Sequence, residues 1–162
     1  MAQQVDTLQE HLKTVLEGRK VTVGVAESLT GGELSARLAA TPGSGDWFLG
    51  GVVAYARSVK YGVLGVPPGP VVSKDAVATM ASSSCQLLGT DLGLAVTGVA
   101  GPDEQDGQPP GTVWIGLHHD GTTTTHLVCL SGSPQQIIDA TCDRALDMLI
   151  EHLDGPTDHH PC

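Results

Sequence analysis

An apolar run, Val21 to Val25, that ends in a carboxylate, two hydroxyls and two glycines constrains this chain more than any other stretch. The segment Gly24-Val25-Ala26-Glu27-Ser28-Leu29-Thr30-Gly31-Gly32 predicts a strand over Val21 to Ala26 that gives way to a helix over 31–40. At such a junction the first helical turn carries unpaired backbone N–H groups and the positive end of the helix dipole. A turn of that kind can bind an anion or stabilise the oxyanion of acyl transfer. The same residues admit a plainer reading, in which Ser28 or Thr30 only caps the helix.

The remaining pattern extends the alternation. Val5, Leu8, Leu12, Val15 and Leu16 recur at helical spacing, so residues 3–18 predict an amphipathic first helix that Gly18 ends. Gly50 to Tyr55 reads as a second strand, followed by a turn or helix that carries Arg57 and Lys60. Val66-Pro67-Pro68-Gly69-Pro70 is a connector, because consecutive prolines offer no backbone donors. Ser73 is placed to cap a helix over 74–89, and Leu92 to Val96 predicts a third strand leading into Thr97-Gly98. Residues 103–111 are polar and rich in Gly and Pro, hence a surface loop. Strands over 112–117 and 123–130 join through Asp120-Gly121, a hairpin signal, and 134–153 forms the last helix. The expected fold is a single α/β domain over 1–153, with a frayed tail over 154–162. It is a three-layer α/β/α sandwich around a mostly parallel mixed sheet of about five strands, one of them antiparallel. Sites in such sheets gather beyond the carboxyl ends of the strands, here Glu27-Ser28, Tyr55 and Thr97-Gly98.

With a formal charge of −10 and eight scattered basic residues, nucleic acid and anionic membranes are not expected partners. No apolar segment approaches the ~20 residues of a membrane span, and the start MAQQVDTLQEHL lacks the regions of a signal peptide. Cys85, Cys129, Cys142 and Cys162 form no C-x-x-C pair, so free thiols in a cytoplasmic protein are the simplest account. Only five aromatic residues are present, so the core must be built from Val, Leu, Ile and Ala. His118 and His119 are neighbours on a strand, point to opposite faces, and do not share a metal ion.

Several separated motifs, in order, resemble the CinA C-terminal domain family: AESLTGG (26–32), PGSGDWFLGGVVAY (42–55), Lys60, LGV (64–66), VVS (71–73), DLGLAVTGVAGP (91–102) and PPGTVWIGL (109–117). The resemblance spans nearly the whole chain and implies the stand-alone form, larger members carrying another domain. It implies hydrolysis of the carboxamide of nicotinamide mononucleotide, without metal or cofactor, by a Ser/Lys dyad. A neutral lysine amine takes the proton of a serine hydroxyl once burial or a neighbouring cation lowers its pKa. Ser28, Lys60 and Tyr55 match the family positions for this chemistry. The turns Thr30-Gly31-Gly32 and Thr97-Gly98 through Gly101 are then the expected backbone donors to substrate or oxyanion.

This chain also departs from the family pattern. Relatives read P-G-S-S or P-G-A-S where this chain has Pro42-Gly43-Ser44-Gly45, so a nucleophile at the fourth position would be lost unless Ser44 or Ser28 substitutes. Ala56-Arg57-Ser58-Val59-Lys60 replaces an S-N-E-x-K or A-N-E-x-K pattern, and the arginines common after Gly132 are missing. A nucleotide phosphate ordinarily wants such a cation, and Arg57 is the nearest substitute. The expected partner is a small nucleotide or amide, with self-association into a homo-oligomer open. The competing reading is a catalytically silent relative that binds a small ligand or a protein.

Overall fold

A computed structural model describes residues 2–155. The chain runs α1 (Ala2–Leu16), β1 (Val23–Glu27), α2 (Glu33–Ala40), a 3-10 turn (Ser44–Asp46), β2 (Phe48–Val53), α3 (Arg57–Gly62) and α4 (Lys74–Leu88). It continues through β3 (Leu92–Gly98), β4 (Thr112–His119), β5 (Thr122–Cys129) and α5 (Pro134–Asp154). α5 includes Asp154, the first residue of the expected tail, and residues 156–162 of that tail lie outside the described part.

The five strands form one sheet in the order β2-β1-β3-β4-β5. β1 pairs parallel with β2 and β3, whereas β4 is antiparallel to both β3 and β5. Four strands thus point one way and β4 opposes them, which is the mixed sheet the alternation predicts. One face packs Val23, Val25, Leu92, Leu94 and Val96 under α1, α2 and α5. The other packs Ala26 and Ala95 under Val77, Met80 and Ala81 of α4. The sheet surface under α4 is built of small residues because the helix lies almost on the strands. A Cβ on Gly93 would overlap the Ala81 carbonyl, and one on Gly116 would stand 3.0 Å from the Val77 carbonyl. Of the five aromatics only Trp47 is buried outright, at 4% exposure, so the core is aliphatic as its composition requires.

The boundaries shift where turn geometry decides them. β2 starts at Phe48 and ends at Val53, short of the predicted Tyr55, since the chain leaves the sheet at Ala54 to start α3. Asp120 and Gly121 both have positive φ, 51° and 75°, as a type I′ hairpin requires. The loop after β3 contains a second turn of this kind. Gln105 and Gln108 exchange backbone hydrogen bonds across Asp106 (φ 54°) and Gly107 (φ 71°). No helix among the described residues is long and apolar enough to cross a membrane.

Candidate active site

The strand-to-helix junction is organised by Glu27, the last residue of β1, whose side chain is fully buried. Its Oε1 accepts hydrogen bonds from Thr30 Oγ1 (2.6 Å), Gly32 N (3.3 Å) and Leu34 N (2.9 Å). Its Oε2 accepts from Ser35 N (2.9 Å) and Ser35 Oγ (2.5 Å). The orphan donors at the start of α2 are therefore satisfied by a carboxylate reaching up from the strand, with favourable sign toward the dipole. Neither Ser28 nor Thr30 caps the helix, since Thr30 only braces the carboxylate. The Gly31 and Gly32 amides, expected as donors to a ligand, are committed to Ser28 O (3.1 Å) and Glu27 Oε1. Both glycines have positive φ, 57° and 107°, which turns the chain sharply after Ser28, itself buried at 6% exposure.

Ser28, Leu29, Tyr55 and the run from Gly98 to Gln105 line one cleft of about 360 Å³. That volume suits a small organic ligand. The ends of β1, β2 and β3 thus converge at the carboxyl edge of the sheet, at the point where connections leave it in different directions. Among the described residues no hydrogen bond engages the Ser28 hydroxyl. Tyr55 is 72% exposed, a side chain turned into solvent over the cleft, unlike the half-buried strand residue its surroundings suggest. Gly98 is required by packing as well, since a Cβ there would meet Thr112 O at 2.7 Å. Gly101 (φ 91°) is followed by a cis bond to Pro102 and lies against Pro110. The rim is acidic, with Asp103 and Glu104 both exposed.

Lys60 is buried at 1% exposure in α3, and its Nζ donates to the carbonyl oxygen of Tyr55 at 3.0 Å. Burial, and next the nearby Arg57 guanidinium, lower its pKa from 10.5 to about 8, while Asp106 pulls the other way. About a tenth of the amine is therefore neutral at pH 7, against far less than a hundredth for an ordinary lysine. The amine contacts the Tyr55 backbone, Lys60 is not itself among the residues lining the cleft, and no hydrogen bond joins it to Ser28.

Four of the expected substrate-binding residues, Thr97, Arg57, Ser44 and Gly45, lie elsewhere. Thr97 is fully buried and donates to Val71 O at 2.7 Å, bracing the connector before α4. Arg57 forms an ion pair with Asp106, so its charge is taken up outside the cleft. Ser44, which donates to Ala39 O at 2.7 Å, lies with Gly45 just before β2, at the amino edge of the sheet. Val23 pairs with Phe48 and Glu27 with Val53, so roughly 16 Å of strand separates Ser44 from Ser28. A second cavity of about 380 Å³ occupies that opposite edge, lined by Lys13, Arg19, Lys20, Gly43, Asp46 and Trp47 among others. It is marginally larger than the cleft, yet none of the matched catalytic positions lines it. Where arginines were missed after Gly132, Ser133 forms a capping box with Gln136 and Gln135 reaches Glu33. The histidines are likewise engaged locally, His118 with Thr123 and His119 with His152.

Comparison with known proteins agrees with this architecture. The family model for the CinA C-terminal domain matches residues 5–153. A CinA-like protein of Frankia casuarinae is 41% identical over 155 residues, which cover 93% of this chain and 36% of that protein. The chain spans about a third of the length of the curated relatives it matches. A competence damage-inducible protein A from Klebsiella pneumoniae superposes with a TM-score of 0.88 at 32% identity, covering 97% of this chain and 99% of that one. A CinA superfamily protein from Enterobacter cloacae gives 0.87 at 32% identity, over 92% of both chains.

Proposed function

The chain belongs to the CinA C-terminal domain family, and from that premise we propose that it is an amidohydrolase that converts nicotinamide mononucleotide to nicotinic acid mononucleotide and ammonia. The observation that carries the reading is Lys60, a buried amine with a pKa lowered to about 8, bonded to the backbone of Tyr55, which lines the same cleft as Ser28. In the reaction Ser28 Oγ attacks the carboxamide carbon and Lys60 Nζ, turning from the Tyr55 carbonyl, accepts the hydroxyl proton. The tetrahedral oxyanion faces the Leu29 amide, the backbone donor next to the nucleophile. Collapse breaks the C–N bond, and the Lys60 ammonium returns its proton to the departing nitrogen as ammonia leaves. Water then attacks the acyl ester, with the amine again taking a proton, and releases the acid. The exposed Tyr55 ring forms a wall against the pyridine. Backbone between Gly98 and Gly101 supplies contacts to the rest of the substrate. With Arg57 paired and Asp103 and Glu104 on the rim, phosphate recognition is weak and the KM correspondingly high.

The test is ammonia release from nicotinamide mononucleotide by the purified protein, with Ser28→Ala and Lys60→Ala alongside. Turnover abolished in both variants supports the reading, and no release above blank at high protein concentration overturns it. One observation favours the silent-binder alternative: the amine is bonded to a carbonyl and not to a hydroxyl. That alternative predicts thermal stabilisation by the nucleotide without turnover.

A further inference from the structure

Asp106 occupies the first central position of the tight turn between Gln105 and Gln108, in a left-handed conformation that few non-glycine residues adopt. The turn aims its carboxylate away from solvent. Oδ2 accepts from two successive backbone amides, Val71 N (2.8 Å) and Val72 N (3.0 Å), and Oδ1 accepts from the Arg57 guanidinium. Burial alone would push this carboxyl up, but the Val72 amide, Arg57 and the Val71 amide together hold it below its ordinary value. One side chain thus ties together the start of α3, the connector before α4 and the loop whose first half, Gly98 to Gln105, is a wall of the cleft. Arg57 stands one helical turn before Lys60 on α3.

We propose that Asp106 is a positioning residue of the candidate site: it clamps the cleft-wall loop to the connector and holds Arg57 beside the Lys60 amine. The inference deepens, and rests on, the reading of Lys60 as the base. Arg57 and Asp106 are the charged groups whose fields reach that amine, and they act in opposite directions. The pair therefore works as a balance. With both charges present the amine is only moderately disfavoured as an ammonium, and loss of either partner tips it. A purely structural brace would behave differently, because loosening the loop lets water reach the amine and moves its titration back toward that of an ordinary lysine.

The deciding experiment is competitive acetylation of the intact protein across a pH series, with the Lys60 peptide read by mass spectrometry, together with hydrogen exchange at the 71–72 peptide. Asp106→Asn keeps shape and, with its oxygen toward the Val71 and Val72 amides, still accepts from both, while its NH₂ takes the place of the oxygen that bonds Arg57, so it removes the charge and that one bond and leaves the loop tied. It should leave that exchange unchanged and lower the Lys60 midpoint by about half a unit or more. Arg57→Gln should raise the midpoint. Asp106→Ala should speed exchange at 71–72 by tenfold or more. Midpoints that stay put, or that rise in both Asp106→Asn and Arg57→Gln, overturn the electrostatic half of the proposal. Unchanged exchange in Asp106→Ala overturns the clamp. None of these measurements needs turnover, so opposite midpoint shifts in a protein that releases no ammonia would sink the amidohydrolase reading and leave the Asp106 clamp standing.

Discussion

The Lys60 amine donates to the backbone carbonyl of Tyr55, five residues earlier, at 3.0 Å. Because Tyr55 also lines the cleft, this bond ties a buried amine to a residue of the cleft wall.

A base of this kind acts only when neutral. Ammonia release should therefore rise with pH through about 8, as a single proton leaves Lys60, and flatten above. Lys60→Arg should be inactive at every pH, because guanidinium does not lose its proton. A pH–rate profile of kcat from pH 6 to 10 checks both. A profile flat through pH 8 would contradict the assignment.

The same shift has a consequence for stability. The folded-state pKa, about 8, lies below the ordinary 10.5, so burial of the ammonium opposes folding fully below pH 8. That penalty is relieved as pH climbs from 8 toward 10.5, where the unfolded chain still binds the proton. Lys60→Met should therefore be more stable than the parent at pH 7, by on the order of 1 kcal/mol, and lose that advantage near pH 10.5. Denaturant midpoints at the two pH values measure the difference. A variant gaining stability while losing activity is the pattern expected of a functional group held at a structural cost.

Glu27 is the structural counterpart. In Glu27→Gln, whichever way the amide turns, its NH₂ faces donors now satisfied by the carboxylate, the Leu34 or the Ser35 N–H. The expected loss is about 2–3 kcal/mol. Thermal unfolding should show it as a fall in Tm of roughly 5–10 °C.

Glycines at the two ends of the packing scale should separate cleanly. Gly93→Ala drives a Cβ into the Ala81 carbonyl and forces α4 off the sheet, a loss of about 1–3 kcal/mol or more. Gly45→Ser, which restores a serine usual in relatives, meets nothing within 4 Å. It should leave stability unchanged, and activity too, since Gly45 lies at the opposite edge of the sheet from Ser28. Chemical denaturation and the ammonia assay together test the pair.

The alternating pattern makes the layers, the presence of one antiparallel strand and the convergence of strand ends readable, because hydrophobic period and turn residues are local properties. What stayed hidden depends on distance in sequence. Glu27 capping α2 could be suspected from a carboxylate just ahead of the Ser-Leu-Thr-Gly-Gly turn, but its burial only follows from the sheet. The Asp106 turn did carry a signal: Asp106-Gly107 is the same dipeptide as Asp120-Gly121, passed over because no alternating strands flank it. Its partners, Arg57 and the Val71–Val72 amides, sit 49 and about 35 residues away and leave no local trace. Residue type alone points Arg57 toward a substrate phosphate, whereas the carboxylate that occupies it, Asp106, is visible only in the folded chain.

Attack by Ser28 with Lys60 as base leaves a covalent acyl group on the serine, which is read directly from the intact mass of the protein quenched during turnover of nicotinamide mononucleotide. An adduct equal to the substrate less ammonia should appear on the Ser28 peptide and be absent from Ser28→Ala. Steady ammonia release with no such adduct, or an adduct on another residue, would contradict Ser28 as the nucleophile.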